Sequence, residues 1–274
     1  MTRVAAVQLA PVVGDLAGNV ERASAALRDV LAAGADLVVL PELTTSGYVF
    51  ESAEEARGVA VRPDDALFAR WAELLAARPG AVLVVGFAEL ADDGLYNSAA
   101  VVTADGVQAV YRKVHLWDRE KQVFLPGGAV PPVVETAHGR VGVMVCFDLE
   151  FPEWTRIAAL AGADLLAVPT NWPLGPRPEG ERVAEMQIAI ATARMNHMAI
   201  AFADRTGTER GVDWSEGTGI VSADGWLIDT AGEGTGVAWA DVDLPASRLK
   251  SQTELVDLFG DRRPDLYGGL GRPG

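Results

Sequence analysis

Cysteine is almost missing from this sequence: Cys146 is the single one in 274 residues, which excludes an intramolecular disulfide. Histidine is nearly as scarce. His115, His138 and His197 are scattered, with no spacing that resembles a zinc site, so no metal is expected. Positive charge is in deficit, with 23 Lys and Arg against 38 Asp and Glu and a formal net charge of −15. Nucleic acid and anionic membrane surfaces are thereby disfavoured as partners, because both require a basic patch. No stretch approaches the ~18 uncharged apolar residues of a membrane span. Met1 to Arg3 runs straight into VAAVQLA with no signal-peptide core, which points to a cytoplasmic protein.

What is present suits a substantial globular core, since 49 % of the residues are hydrophobic. An opening strand over Arg3 to Leu9 leads to a helix over Asn19 to Ala33, whose Val20, Ala23, Leu27, Val30 and Leu31 recur at helical spacing, with Asn19 as the expected cap. Leu37 to Leu40 reads as a short apolar strand stopped by Pro41 and Glu42. A second helix over Asp65 to Ala77 gives way to a strand over Ala81 to Phe87. Leu95 to Val102 and Val107 to Tyr111 read as a hairpin around Ala104, Asp105 and Gly106.

The second half repeats this grammar. GADLVVLPE (Gly34 to Glu42) returns as GADLLAVPT (Gly162 to Thr170) at an offset of 128 residues, and VTADG (Val102 to Gly106) returns as VSADG (Val221 to Gly225) at an offset of 119. VAAVQ near the start lies in the same order against VGVMV before Cys146. Matches in one order at similar offsets predict two pseudo-symmetric α/β halves, each with a sheet covered by helices. Packing the two sheets together buries both apolar faces and gives a four-layer α-β-β-α sandwich. No linker-like segment separates the halves, so residues 1–261 are expected to form one domain, with an irregular Gly, Pro and Arg-rich tail over 262–274.

The chemistry gathers where strands end. Val141 to Val145 is an apolar strand that runs into Cys146, after which Asp148, Glu150, Pro152 and Glu153 announce a tight loop and a helix. A thiol at the carboxyl end of a strand stands where α/β proteins mount reactive groups, although a lone cysteine is also a common small core residue. Glu42 closes the GADL strand in the same way, and partial desolvation there would raise its pKa into the range useful for proton transfer. Lys113 ends the strand after Tyr111 and Arg112. Beside a cysteine, a lysine would favour the thiolate and offset charge on an attacked carbonyl.

PELTTSGY (Pro41 to Tyr48), YRKVHLWDREKQVFLPGG (Tyr111 to Gly128) and GVMVCFDLEFPE (Gly142 to Glu153) together resemble, in order, the three signature regions of the nitrilase superfamily of carbon-nitrogen hydrolases. LYNSA before the lysine and PTNW after the cysteine extend the likeness along the chain. The resemblance implies the α-β-β-α fold, a Glu42, Lys113 and Cys146 triad with Glu120 beside it, and a homodimer or higher homo-oligomer. In the corresponding reaction Cys146 attacks a carboxamide carbon while Glu42 takes its proton, and Lys113 with the backbone N–H of Phe147 stabilises the oxyanion, without metal or organic cofactor. Phe147 and Asp148 after the cysteine resemble amidases rather than nitrile-cleaving branches. Leu149 and Glu150 stand where hydrolases of N-carbamoyl amino acids place arginines. The expected substrate is therefore a small aliphatic or ω-amino primary amide, held among Tyr48, Trp117, Asn171 and Trp172 with Glu150 facing an ammonium. The alternatives are an N-carbamoyl amine hydrolase of the carbamoylputrescine type and a nitrilase. A protease-like Cys146 and His115 pair is disfavoured, because the sequence displays no Asn or Asp evident as an orienter for His115.

Overall fold

Alternation within short apolar strands decides the layering. The computed structural model describes residues 1–271. In β1 (Thr2–Gln8), Val4 and Ala6 enter one apolar core while Ala5 and Val7 enter another. The same division separates Leu37 and Val39 from Val38 in β2 (Leu37–Val39), and Val82 and Val84 from Leu83 and Val85 in β3 (Val82–Leu90). Successive side chains point to opposite faces, so a strand apolar throughout must be covered on both.

The outer face of this first sheet is covered by α1 (Leu16–Ala32) and α3 (Ala66–Leu75), which follows the short α2 (Ala53–Arg57). Trp71 of α3 is wholly buried and its Nε1 donates to Ser24 Oγ of α1 at 3.0 Å, joining the two helices. β4 (Leu95–Thr103) and β5 (Gly106–Arg112) continue the sheet antiparallel. The inner face packs on the second sheet, where Val141, Val143, Leu165 and Ala167 share a core with Val4, Leu37 and Val84.

That second sheet contains β6 (Val133–Thr136), β7 (Gly139–Val143), β8 (Leu165–Pro169) and β9 (Ala199–Ala203), with α4 (Pro152–Leu160) and α5 (Ala184–Asn196) against it. A small hairpin of β10 (Thr208–Glu209) and β11 (Val212–Asp213) precedes β12 (Gly219–Val221) and β13 (Leu227–Thr230). Finally β14 (Gly236–Val242) returns to the first sheet beside β1. The orders are β14-β1-β2-β3-β4-β5 and β13-β12-β9-β8-β7-β6. Parallel β1-β2-β3 followed by antiparallel β4 and β5 is repeated by β7-β8-β9, β12 and β13. VTADG and VSADG form the matching β4–β5 and β12–β13 turns. The α-β-β-α sandwich of two similar halves is thus the fold.

Local details differ from the sequence reading. α1 begins earlier, because Asp15 rather than Asn19 is its cap: Asp15 Oδ1 accepts from Gly18 N at 2.9 Å. Asn19 is buried inside the helix, where its side chain bonds Val12 N, Val12 O and Thr45 O. The strand before the cysteine stops at Val143, and Cys146 opens a 3-10 turn through Glu150. Of the expected tail over 262–274, residues 264–266 form a short 3-10 turn, and residues 272–274 lie outside the described residues.

Candidate active site

Both halves deliver side chains to one place through the carboxyl ends of their strands. Glu42 follows β2 after Leu40 and Pro41, and the chain there lies so close to β3 that a Cβ on Gly86 would stand 2.5 Å from Glu42 Cα and 2.6 Å from Pro41 O. Only glycine permits that approach. From the second half, Thr170 O accepts Glu42 N at 3.3 Å and Asn171 Nδ2 donates to Glu42 O at 2.9 Å. Lys113 directly follows β5 and is fully buried. Cys146 adopts φ +48°, a left-handed conformation costly for a side chain with a Cβ, and sits 3.9 Å through Sγ from Asn171 O.

Hydrogen bonds join the polar groups. Lys113 Nζ donates to Glu42 Oε1 at 2.7 Å and to Glu120 Oε1 at 2.8 Å. Asn97 Nδ2 donates to the same Glu42 oxygen at 2.7 Å, whereas Glu42 Oε2 is buried with no partner among the described residues. Glu120 also accepts from Tyr48 Oη and, through Oε2, from Trp117 N at 3.2 Å.

The charges respond to this burial. Desolvation, opposed by Lys113 and reinforced by Glu120, pushes Glu42 up to about 7. Burial works against the Lys113 ammonium, but Glu120 and Glu42 prevail and hold its pKa well above the ordinary lysine value. The Cys146 thiol is pushed well up by burial and then by Glu42, with Lys113 opposing. Lys113 pulls toward the thiolate, as expected, but desolvation and Glu42 outweigh it.

The remaining expected residues divide. The Phe147 N–H, an early donor of the 3-10 turn, has no acceptor outside that turn among the described residues. Tyr48, Trp117 and Glu120 line a cavity of about 360 Å³ together with Phe50, Phe124 and Trp214. Asn171 meets Cys146 and Glu42 as above. Trp172 lies outside that cavity, 2 % exposed and packed on Phe202 with ring centroids 5.4 Å apart. Glu150 is exposed, and burial of part of its side chain together with the Glu185 carboxylate raises its pKa.

His115 does have an orienting acid, contrary to the sequence reading: its Nδ1 lies 2.7 Å from Asp148 Oδ1, and its ring stacks on Phe151 at 3.7 Å. Asp148 also accepts from Tyr111 Oη at 2.8 Å and so ties the cysteine turn to the end of β5. Asn97, Gly86 and Asp148 are the site residues that sequence reasoning missed. Asn97 left a signal, an amide in the strand-like LYNSAAVV.

Two stacked mixed sheets that bring a buried glutamate, lysine and cysteine together at their strand ends define an enzyme class, the carbon-nitrogen hydrolases. A family model described as carbon-nitrogen hydrolase matches residues 3–250, and the chain belongs to that family, within the nitrilase superfamily. It is 37 % identical to a protein named nitrilase from Pyrococcus abyssi, covering 97 % of this chain and 99 % of that one. It is 31 % identical to the N-carbamoylputrescine amidase of Arabidopsis thaliana, covering 92 % and 90 % respectively. A solved structure of a cysteine-to-alanine mutant of the amidase from Nesterenkonia sp. AN1, in complex with butyramide, superposes with a TM-score of 0.78 at 28 % identity, covering 97 % of this chain and 95 % of that one. The relatives carry different activity names on one fold, so the choice among activities rests on the site itself.

Proposed function

We propose that the protein is an amidase that hydrolyses a small primary carboxamide to the carboxylic acid and ammonia through a thioester on Cys146. The free Oε2 of Glu42, in a carboxylate whose other oxygen is held by Lys113 and Asn97, carries this reading. That oxygen takes the thiol proton as sulfur attacks the amide carbon. Lys113 has three N–H donors and spends two on carboxylates, leaving one for the oxyanion, and the Phe147 N–H supplies another. Each such donor contributes ~3 kcal/mol to the transition state. Glu42 then returns its proton to the departing ammonia. In the second step it removes a proton from water, whose oxygen attacks the thioester, and the sulfur leaves as the thiol. Glu120, held by Tyr48 and Trp117 N, fixes the ammonium that serves both steps.

The aromatic cavity beside Glu120 suits a short aliphatic chain, at ~0.8 kcal/mol for each methylene buried. From the second half, Pro173, Val212 and Trp214 complete the wall of this pocket. Glu150 and Glu185 supply negative charge for a terminal ammonium, which supports an ω-amino amide and equally an N-carbamoyl amine of the carbamoylputrescine type as the second reading. Butyramide in the Nesterenkonia structure supports the amide reading. We read residues 1–261 as one domain, supported by the core shared between the sheets and by β14 returning to β1. Among the described residues, no helix is long and apolar enough to cross a membrane. Exposed Leu160 on α4 and Met195 on α5 support a homo-oligomer, which we place in the cytoplasm.

Ammonia release measured side by side on pentanamide, 5-aminopentanamide, pentanenitrile and an N-carbamoyl amine tests the reading. The amides are expected to be fastest. A nitrile or carbamoyl compound faster by about tenfold, ~1.4 kcal/mol, overturns the amide assignment.

A further inference from the structure

Tyr48 reaches the network from the irregular stretch between β2 and α2, well beyond the end of its strand, yet its hydroxyl shares Glu120 Oε1 with Lys113. A side chain on a loop holds a hydrogen bond of that kind only if something fixes its backbone and its ring. Here both are fixed from the second half of the chain. Glu209 Oε2 accepts the backbone N–H of Tyr48 at 2.9 Å and of Val49 at 2.6 Å. The Trp214 ring meets the Tyr48 ring edge-on, with centroids 5.4 Å apart at 80°.

Arg205 stands behind both supports. It is 2 % exposed, its Nη2 lies 3.0 Å from Glu209 Oε1, and its guanidinium carbon lies 4.5 Å from the centroid of the Trp214 ring. Among the described residues its one side-chain hydrogen bond is to Pro11 O at 2.7 Å, and its Nε and Nη1 are buried without a partner. Glu209 is therefore the counter-charge of a guanidinium that has little else. An ion pair this deeply buried is weak support for stability, because desolvation consumes most of the attraction. What it provides is geometry: a fixed carboxylate for the Tyr48 and Val49 amides and a fixed cation under Trp214.

We infer that Arg205, Glu209 and Trp214 form a brace that positions Tyr48, and through its hydroxyl Glu120 and Lys113, for catalysis. Among the described residues none of the three hydrogen-bonds Glu42 or Cys146, so they are positioning residues. The inference rests on the catalytic reading of Lys113 and Glu120 but not on the choice of amide. It is tested on whichever carbon-nitrogen substrate the wild type turns over best, so failure of the amide assignment leaves it intact.

The test is a double-mutant cycle on kcat with Tyr48→Phe, Glu209→Gln and the pair, each checked for wild-type circular dichroism and cooperative melting. Tyr48→Phe removes only the hydroxyl, and Glu209→Gln keeps an acceptor for the two amides while removing the charge that fixes it. Each single change is expected to lower kcat by about tenfold or more, with a smaller effect on KM, and the double variant is expected to fall within about threefold of the worse single one. Losses that multiply, or a Glu209→Gln protein with wild-type kcat, overturn the brace. Should Glu209→Gln not fold, Trp214→Phe takes its place in the same cycle, with the same expected non-additivity and the same contrary results.

Discussion

Two carboxylates, Glu42 and Asp204, are fully buried near the carboxyl ends of parallel strands in opposite sheets, and burial raises both, Glu42 to about 7 and Asp204 to about 6. Their surroundings separate them. Asp204 Oδ1 accepts from Trp172 N and Arg205 N, and Oδ2 from Ser215 Oγ and Gly217 N, all within 2.9 Å. Glu42 has two donors on Oε1 and none on Oε2. A saturated carboxylate fastens loops together; on the proposed reading, one with an empty oxygen has a proton still to take. Depth and a raised pKa alone do not distinguish structure from chemistry. Hydrogen-bond saturation separates these two.

Four changes break or sharpen this contrast. Glu42→Gln keeps size and polarity but removes the base, so kcat is expected to fall by on the order of 10⁴ while the melting temperature stays near wild type, measured by ammonia release and calorimetry. Lys113→Ala is expected to cost ~10²–10³ in kcat, because the lost charge acts on the oxyanion. Lys113→Arg does not restore it, since a planar fork cannot replace a compact ammonium between Glu42 and Glu120. A loss confined to KM would make Lys113 a substrate anchor instead.

Asp204→Asn should behave oppositely to Glu42→Gln. The new amide nitrogen must face at least one backbone N–H, at a cost of ~2 kcal/mol in denaturant unfolding, while kcat falls less than about tenfold. The smallest effect is the pH dependence. Only the ionised Glu42 can accept the thiol proton, and its pKa is raised to about 7. kcat/KM should therefore decline as pH falls through about 7, rather than persisting into the ordinary glutamate range near 4.3. A limb in that lower range would place Glu42 outside the proton transfer.

The sequence made the sandwich legible because its cause is local: short runs apolar on both faces, repeated in one order, leave few other ways to bury themselves. The VTADG and VSADG turns fell where their repetition implied. Helix starts were less legible. Asp15 and Asn19 are both good caps by type, and only the surrounding contacts with Val12 and Thr45 draw Asn19 inside. At the site, Glu42, Lys113, Glu120 and Cys146 were readable from strand ends and from the resemblance to a known family, and the structure brings them together. Gly86 and Asp148 were hidden, because their importance lies in an approach between strands and in a bond to His115 that sequence spacing does not encode. Trp172 has the composition of a pocket wall yet sits on Phe202 beside Gly217, whose missing side chain makes room for it.

The central claim is that the empty oxygen of Glu42 is the base for Cys146, and it can be tested without knowing the substrate. The rate of alkylation of Cys146 by iodoacetamide, followed by intact mass from pH 5 to 9, is expected to rise through an inflection near 7 in the wild type. That inflection should vanish in Glu42→Gln. An identical profile in the two proteins, governed by the thiol alone, would contradict the account.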